Sequence, residues 1–311
     1  MKTLNAMTIN SLYILMLEFS QLKSKQLNYR YLYRRKPKLA KPIQSRESVF
    51  ETINIDKTIN YLKKQGFSLG INLPQEVVQE ITDFGRNTPC YGNKNPKMGF
   101  YYADKEQAQT KYGKPLLIGS YYNTALLCPA IKKLESDPNL LEIAAKYLEA
   151  EPIHQGNQLW WSFAVESSIY ERRRAAQVFH QDLDNRRVLK FLFYLTDVDL
   201  CSSPHVCVRG SHVKKKLSNR FLRRGHSHQE IAEYYGYENI VPICGKAGLG
   251  FVEDSLCFHK GTPPGSRDRL VLQIEFAVKD YGLPNDLREP SQLECLPREP
   301  VDSNKVPVKR T

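Results

Sequence analysis

The chain has 311 residues, of which 41% are hydrophobic and 25% charged, a composition typical of a soluble globular protein with one large domain or two modest ones. No segment contains the roughly 18 apolar residues that a membrane-spanning helix needs. The seven cysteines are scattered and never form a C-x-x-C pair, which excludes a disulfide framework and a zinc ribbon. We therefore expect a protein of a reducing compartment, the cytoplasm.

The net charge of +12 is concentrated near the N-terminus. Residues 1–46 carry ten Lys or Arg and one acidic residue, whereas the rest of the chain carries 35 basic and 32 acidic groups. Apolar residues at helical spacing run through this segment: Leu12, Leu15, Met16, Phe19 and Leu22. We expect residues 1–50 to form a basic arm with a short amphipathic helix. The arm is either a solvated tail or a contact for an anionic partner, such as a lipid surface, nucleic acid or an acidic protein.

Three helices are predicted between residues 51 and 152. The first has Asp56 as a suitable N-cap and stops at Gly66, a residue that favours a helix C-terminus. The second begins near Pro74, and the third follows Asp137, which precedes a first-turn proline. These segments predict that residues 51–152 are the helical N-terminal part of the folded domain.

After residue 152 the sequence has the character of strands. Five segments are rich in β-branched, aromatic and aliphatic residues: QLWWSFAV, VLKFLFYLTDV, HVCV, LGFVEDSLCF and RLVLQIEFAV. One insertion, near residues 214–240, reads as helical. Residues 283–311 contain five prolines and are expected to wrap the domain first and then to be disordered. Helices followed by strands favour an α+β protein that is mainly β, a sandwich or barrel with helices packed outside.

The stretch QVFHQDLDN, residues 177–185, sets His180 and Asp182 two positions apart. Residues two apart on a strand share a face, so both side chains can point at one metal ion. Two histidines and one carboxylate on one face of a metal, with the other positions open, are the ligands of non-haem iron(II) oxygenases. His259, at the end of LGFVEDSLCFH, is the best candidate for the third ligand.

The remaining histidines are weaker candidates. His212 follows a glycine and a serine in a tight loop, where we expect it to brace the site. His226 and His228 imitate a metal pair, but Ser227 and Glu230 form the capping box of a helix. Helix residues two apart do not face each other, so we interpret this cluster as structural. Two further histidines stand alone near prolines: His154 and His205.

Two arginines follow His259 at a distance that suits anion binding. The run TPPG reverses the chain, and an antiparallel hairpin would return Arg269, at the start of the last strand, to the side of His259. A guanidinium there can form a bidentate pair with a carboxylate. Arg267 has the same strand parity but lies in the turn, so it ranks second. The alternative for either residue is a surface arginine.

In combination these motifs resemble the phytanoyl-CoA dioxygenase-like family of iron(II)/2-oxoglutarate oxygenases. The resemblance covers residues 155–280 and is carried by the motifs FHQDLD, FYLTDVD, VRGSH, GKAGLGFVEDSLCFHKGTP and RLVLQIEF. It implies a double-stranded β-helix, the cupin-like jelly roll, over residues 153–282 of an oxygenase domain that spans residues 51–282. It covers neither the basic arm nor the tail.

The same resemblance implies roles for individual residues. His180, Asp182 and His259 match the iron(II) ligands. Arg269 matches the arginine that pairs with the distal carboxylate of the cosubstrate 2-oxoglutarate, and Ser266 matches a nearby serine. The implied reaction uses dioxygen, converts 2-oxoglutarate to succinate and hydroxylates a C–H bond of an organic substrate. Because Asp182 is present, halogenation is disfavoured, since halogenating relatives replace this carboxylate.

Five further side chains are candidates for the pocket. Lys190 lies in the apolar run VLKFLFYL, where a charge is costly without a partner. It either meets a carboxylate of 2-oxoglutarate or substrate, or reaches solvent from an edge strand. Gln181 is a cofactor-binding candidate by its place between two ligands, although strand parity points it away from the metal. Candidates for the substrate pocket precede the H-x-D motif on one strand: Trp160, Trp161 and Ser162.

The substrate and two alternative functions stay open at this point. Arg209 stands where the family commonly has a proline before Gly-Ser-His, and this loop shapes the pocket. The substrate is therefore either a small molecule or one linked to a carrier or lipid. One alternative function is a non-catalytic metal-binding jelly roll that acts as a scaffold. The other gives the main role to the basic arm, as a nucleic-acid- or membrane-binding segment.

Overall fold

The computed structural model describes residues 47–165, 177–182, 187–214, 225–263, 265–282 and 285–298. Nearly all of the predicted basic arm, with its amphipathic helix, lies outside the described residues, and so do part of the 214–240 insertion and the tail from residue 299. No helix in the described ranges is long and apolar enough to cross a bilayer.

Seven α-helices occur in the described residues. They are α1 (Ile55–Gln65), α2 (Gln75–Asn87), α3 (Lys105–Tyr112), α4 (Thr124–Leu127), α5 (Pro129–Leu134), α6 (Pro138–Leu148) and α7 (His228–Tyr235). The predicted helices correspond to α1, α2 and α6, and the insertion contains α7 behind the predicted capping box of Ser227. Asp137 caps α6, and Gly66 ends α1 with φ 88°. The predicted N-cap of α1 is wrong: Asn54, not Asp56, accepts the capping hydrogen bond.

Eleven strands form two antiparallel sheets in the described part of the chain. The strands are β1 (Phe67–Leu69), β2 (Cys90–Gly92), β3 (Gly99–Phe100), β4 (Ile118–Ser120), β5 (Ile153–Ser162), β6 (Val188–Tyr194), β7 (His205–Val208), β8 (Ile240–Ile243), β9 (Gly250–Asp254), β10 (His259–Gly261) and β11 (Arg269–Ala277). The large sheet has the order β1-β9-β6-β11-β5-β4-β2-β3, and the small sheet β10-β7-β8. The predicted class, a mainly β jelly roll with packed helices, is confirmed.

The large sheet begins in the part of the chain that was predicted to be helical. β1 pairs with β9 at one edge, and β2, β3 and β4 extend the sheet beyond β5 at the other. Each of these four strands has two or three residues. Over two or three positions, the alternation of apolar and polar residues in a strand cannot be distinguished from a loop sequence. The sequence pattern therefore did not predict these four strands.

The two faces of the large sheet have different environments, as β6 illustrates. Leu189, Phe191 and Phe193 belong to the main hydrophobic core beneath the helices. Lys190 and Leu192, at the alternate positions, line a cavity on the other face. This period-2 alternation places the apolar core outside the barrel and leaves the inner face for polar groups.

The described part of the tail, residues 285–298, packs back onto the domain. The backbone N–H of Gly99 donates to the carbonyl of Glu294 at 2.9 Å, and that of Asn123 donates to the carbonyl of Asp286 at 2.8 Å. This segment therefore lies beside β3 and the start of α4, where it contributes to the rim of the cavity.

Candidate metal and cosubstrate site

Three side chains converge inside the barrel: His180, Asp182 and His259. Their ligand atoms all lie within 4.8 Å of one another. The Nε2 atoms of both histidines are 3.9 Å from Oδ1 of Asp182. The structure thus brings together the three residues that the sequence selected, two of them 77 or more positions from the third.

The imidazoles are oriented by backbone hydrogen bonds. Nδ1 of His180 lies 2.9 Å from the carbonyl oxygen of Val178, and Nδ1 of His259 lies 2.9 Å from that of Cys257. A carbonyl can only accept, so both Nδ1 atoms carry the proton and both Nε2 lone pairs face Asp182. Metal-binding histidines are typically fixed in this way. Burial lowers the pKa of His180 to about 4, so its ring is neutral at pH 7.

A local backbone ladder, and not a regular strand, holds the H-x-D segment. The N–H groups of His180 and His259 each donate to the other's carbonyl at 3.0 Å. The N–H of Asp182 donates to the carbonyl of Ser255 at 3.1 Å. On its other side the segment is joined to His226, whose N–H donates to the carbonyl of Phe179. The backbone of His226 therefore helps to hold the H-x-D segment in place, which agrees with the predicted structural role.

The Gly-Ser-His loop supports the approach to His259. The buried hydroxyl of Ser211 donates to the carbonyl of Val208 and accepts the N–H of Phe258, both at 2.7 Å. Nε2 of His212 lies 3.1 Å from the carbonyl of Lys63 in α1. His212 thus braces the loop against α1 and does not reach the cavity.

Lys190 ties the metal triad to a second carboxylate. Its ammonium group contacts Oδ2 of Asp182 and lies 3.6 Å from Oε1 of Glu275. Burial alone would lower the pKa of Lys190, but these carboxylates outweigh it and hold the pKa above its ordinary value. Burial likewise would raise the pKa of Asp182, but the nearby charge of Lys190 outweighs burial, and the pKa of this carboxyl group is lowered. Lys190 therefore faces the cavity, and the edge-strand alternative is wrong.

A buried histidine–glutamate pair lies beside His259. Nε2 of His205 is 2.8 Å from Oε2 of Glu253, and Sγ of Cys207 is 3.3 Å from the same oxygen. The other oxygen, Oε1, has no hydrogen-bond partner and is 4.0 Å from Nε2 of His259. Burial would raise the pKa of Glu253, but the neighbouring imidazoles lower it, so the carboxylate is ionised.

Arg269 is a buried cation without a carboxylate partner in the described residues. Its guanidinium donates to the carbonyl of Ser203 and, at 3.3 Å, to Oγ of Ser162, while its Nε–H has no partner. Only 4% of the residue is exposed, and it lines the same cavity as the metal triad. A buried charge is costly unless it is paired, so the geometry fits an anionic ligand.

The predicted route of Arg269 to the site is wrong. β10 and β11 do not form a hairpin, because β10 pairs with β7 in the small sheet and β11 pairs with β5 and β6 in the large one. The turn between them crosses from one sheet to the other. Arg269 therefore approaches the cavity from the wall opposite His259.

Several other predicted site residues lie elsewhere. Arg267 is exposed and forms an ion pair with Asp199, which excludes it from the cavity. Ser266 is also exposed and does not line the cavity, and Ser162 is the serine beside Arg269. Gln181 donates to the carbonyl of Leu256 outside the cavity, so its position does not support a cofactor-binding role.

Strand alternation separates the three substrate-pocket candidates. Trp160 and Ser162 line the cavity. Trp161 points to the opposite face, where it is 2% exposed and donates to the hydroxyl of Tyr121 at 2.8 Å. The prediction for Trp161 is therefore wrong, because adjacent strand residues face opposite sides.

The cavity has a volume of about 420 Å³, within the range of small-molecule sites. Sequence reasoning missed several of its charged or titratable lining residues: Lys94, His205, Glu253, Glu275, Asp286 and Arg288. Glu275 is an isolated charge inside an apolar strand sequence, the same signal that singled out Lys190, whereas Glu253 is followed directly by Asp254. His205 shares a strand face with Cys207, the register partner of His259, but this pairing is visible only in the fold.

Two imidazoles and one carboxylate between the sheets of a jelly roll, with an unpaired arginine in the same cavity, define the class of non-haem iron- and 2-oxoglutarate-dependent enzymes. The family model described as Phytanoyl-CoA dioxygenase (PhyH) matches residues 72–269. This match spans more than half of the chain, and the chain belongs to that family. The resemblance seen in the sequence is thereby confirmed, and it extends into the helical N-terminal part.

Solved structures of other proteins share the fold. HygX from Streptomyces hygroscopicus, with nickel and 2-oxoglutarate bound, has a TM-score of 0.50 and 12% identity over 71% of this chain and 86% of its own. The epimerase SnoN from nogalamycin biosynthesis, in complex with Fe3+, alpha ketoglutarate and nogalamycin RO, has a TM-score of 0.50 and 13% identity over 72% of this chain and 83% of its own. No curated protein sequence matches the chain.

Proposed function

We propose that the protein is an iron(II)- and 2-oxoglutarate-dependent dioxygenase that hydroxylates a C–H bond of a small organic molecule. His180, Asp182 and His259 would hold the iron, and Arg269 would bind the distal carboxylate of 2-oxoglutarate. The observation that carries the proposal is the presence of this triad and of a buried, unpaired guanidinium in one cavity. The triad alone would account for a metal, and the guanidinium alone would account for an anion. Only the two together call for a metal and a dicarboxylate in the same cavity.

The residues around the triad prepare the site before any ligand binds. The Nδ1 hydrogen bonds of the two histidines fix the Nε2 lone pairs on the cavity side. Lys190 holds one oxygen of Asp182, which leaves Oδ1 directed between the imidazoles. Ser162 and the carbonyl of Ser203 fix the guanidinium. When bound, iron(II) and 2-oxoglutarate supply the oxidising chemistry, with dioxygen as the oxidant and succinate and carbon dioxide as by-products.

Other features support a reducing compartment and a small-molecule substrate. All seven cysteines are free, as expected for a reducing compartment such as the cytoplasm. SnoN is bound to a small molecule in its complex, and a small-molecule substrate suits the size of the cavity here. SnoN is also an epimerase, so the outcome at the C–H bond must be tested and not assumed.

Succinate formation tests the proposal. Protein supplied with iron(II), 2-oxoglutarate, ascorbate and air should form succinate slowly without substrate, and Asp182→Ala should abolish this. Asp197→Ala is the matched control, because Asp197 pairs with a lysine in the same way but on the surface. Binding of iron and 2-oxoglutarate without any succinate would instead favour the non-catalytic scaffold. With a turned-over substrate, oxygen-18 from labelled dioxygen in the product distinguishes hydroxylation from epimerisation.

A further inference from the structure

We infer that the substrate is a small polar molecule with an anionic group, a carboxylate or a phosphate, that binds between Lys94 and Arg288 at the mouth of the cavity. The inference rests on the proposed function, because that function locates the reaction at the inner end of the same cavity. It adds the recognition chemistry of the substrate, which the triad and Arg269 do not specify.

Tyr122 connects the backbone of Lys94 to the side chain of Arg288. The hydroxyl of Tyr122 donates to the carbonyl of Lys94 at 2.8 Å, and the guanidinium carbon of Arg288 lies 4.9 Å from the centre of the Tyr122 ring. All three residues line the cavity that contains the metal triad. Lys94 is exposed and Arg288 is half-buried, which places them at its outer end.

Neither cation forms an ion pair with a carboxylate in the described part of the chain. Asp286 also lines the cavity, but its carboxylate accepts the N–H and the hydroxyl of Thr124. The two cations outnumber this one carboxylate, so the local charge at the rim is positive. Two cations that line one cavity can both attract an oxyanion, which is a stronger arrangement than a single surface charge.

Strained backbone holds both cations in place. Asn93 and Lys94 have φ values of 52° and 61°, and Asn123 has a φ value of 57°, a left-handed conformation that is costly for residues other than glycine. The side chain of Asn93 fixes its turn by accepting the N–H of Leu117 at 2.9 Å. The side chain of Asn123 exchanges two hydrogen bonds, at 2.8 and 2.9 Å, with the backbone of Arg288. Such strain persists where the surroundings enforce it, and it is concentrated at ligand sites.

Polar groups interrupt the apolar wall between the mouth and the metal. Glu275 lies 3.6 Å from Lys190 and accepts a hydrogen bond of 2.8 Å from Gln273. It also interacts electrostatically with Lys94, so charges of alternating sign lead from Asp182 to the mouth. Gln158 and Ser120 add further polar groups. The buried hydroxyl of Ser120 has no hydrogen-bond partner in the described residues, and a hydroxyl or amide group of a polar substrate would satisfy it where an acyl chain would not.

Paired ligands that differ by one anionic group test the inference. The probes are glucose 6-phosphate with glucose, 3-phosphoglycerate with glycerate, and glycerate with glycerol. Protein loaded with iron(II) and 2-oxoglutarate under argon is titrated with each, and binding is followed by the fluorescence of Trp160 and Trp161 and by the visible absorption of the loaded site. In each pair the more anionic member should bind at least tenfold more tightly. In Lys94→Asn/Arg288→Gln this preference should fall to less than twofold, with 2-oxoglutarate affinity unchanged.

The matched control is Lys97→Gln/Arg298→Gln. Lys97 is an exposed lysine on the same turn as Lys94, and Arg298 stacks over a tyrosine as Arg288 does, but neither lines the cavity. This control should keep the preference for anions. Equal binding within all pairs, or a preference that survives in Lys94→Asn/Arg288→Gln, would overturn the inference. Failure of the iron- and 2-oxoglutarate-dependent absorption to appear at all would instead count against the proposed function.

Discussion

Arg269 has the most unusual environment among the site residues, because it is a buried cation whose partners within the described ranges are a carbonyl, a hydroxyl and the ring of Tyr194, with no carboxylate. Arginine cannot escape this cost by deprotonation, although burial lowers its pKa. A ligand carboxylate would therefore gain a strong, desolvated pair. The environment of this residue alone indicates that the cavity is built for an anion.

Arg269→Gln is expected to weaken 2-oxoglutarate binding by about 100-fold, since truncating one partner of a buried charge pair costs about 2–5 kcal/mol. Iron(II) affinity should change by less than about threefold, because the triad is untouched. Both are measured by anaerobic calorimetric titration. Arg267→Gln, at an exposed ion pair of the neighbouring turn, should change neither value. Equal loss of iron and cosubstrate affinity in Arg269→Gln would show that this residue supports the fold and not the ligand.

Lys190 has anionic partners within the protein, where its sequence context suggested a carboxylate of 2-oxoglutarate or of the substrate. Its ammonium group is shared between Asp182 and Glu275, so it positions a candidate metal ligand, and contact with a ligand carboxylate is not needed to explain its burial. Residues that orient metal ligands typically contribute 10–100-fold in metal affinity.

Lys190→Met should therefore lower iron(II) affinity at least about tenfold and reduce the free energy of unfolding by about 3 kcal/mol, because two buried carboxylates lose their counter-charge. Metal titration and urea unfolding measure the two effects. Lys246→Met removes the same contact from an exposed carboxylate, Asp197, and is expected to leave both quantities unchanged. Wild-type iron affinity in Lys190→Met would contradict the positioning role.

At the scale of elements, β9 connects the helical part of the chain to the site. The carbonyl of Gly250 accepts the N–H groups of Gly70 and Ile71 at 3.2 Å, and further along the strand Glu253 faces the cavity. A Cβ at position 250 would lie 1.8 Å from the carbonyl oxygen of Ile71. The close approach of the two backbones therefore requires glycine.

Gly250→Ala should reduce the free energy of unfolding by about 3 kcal/mol, as expected for overpacking in a site that cannot relax. Gly265→Ala, where the nearest atom is 3.4 Å away, should stay within about 0.5 kcal/mol. Urea denaturation of the two variants and the wild type gives both values. Equal stabilities would mean that residues 70 and 71 are not held against β9.

The sequence predicted the features that depend only on residues close together in the chain. The helix α6 follows from Asp137 and the proline after it, and the convergence of His180 and Asp182 follows from their spacing. The pairing of β10 with β7 could not be predicted in this way, because hairpin and cross-sheet connections share the same turn sequence. For that reason the predicted hairpin around Arg269 was wrong. The sequence also did not predict the position of His205, which this pairing brings beside His259.

At the scale of the whole molecule, the buried charges of the cavity compensate one another. Asp182 and Glu253 are offset by Lys190 and Arg269, and a divalent cation and a dicarboxylate that enter together add no net charge to the cavity. Burial raises the pKa of Glu275, and the ammonium group of Lys190 opposes this shift. The charge of +9 on residues 1–46 lies outside the described residues, and its interaction with an anionic partner stays a prediction.

Anaerobic titration of the protein with iron(II) and 2-oxoglutarate, followed by visible absorption, tests the central claim most directly. A charge-transfer band should appear only when both are present, with one equivalent of each per chain. It should be lost in Asp182→Ala and in His259→Ala, while far-ultraviolet circular dichroism remains that of the wild type. Absence of the band in folded wild-type protein, or its persistence without His259, would contradict a site in which these side chains hold one metal beside the cosubstrate.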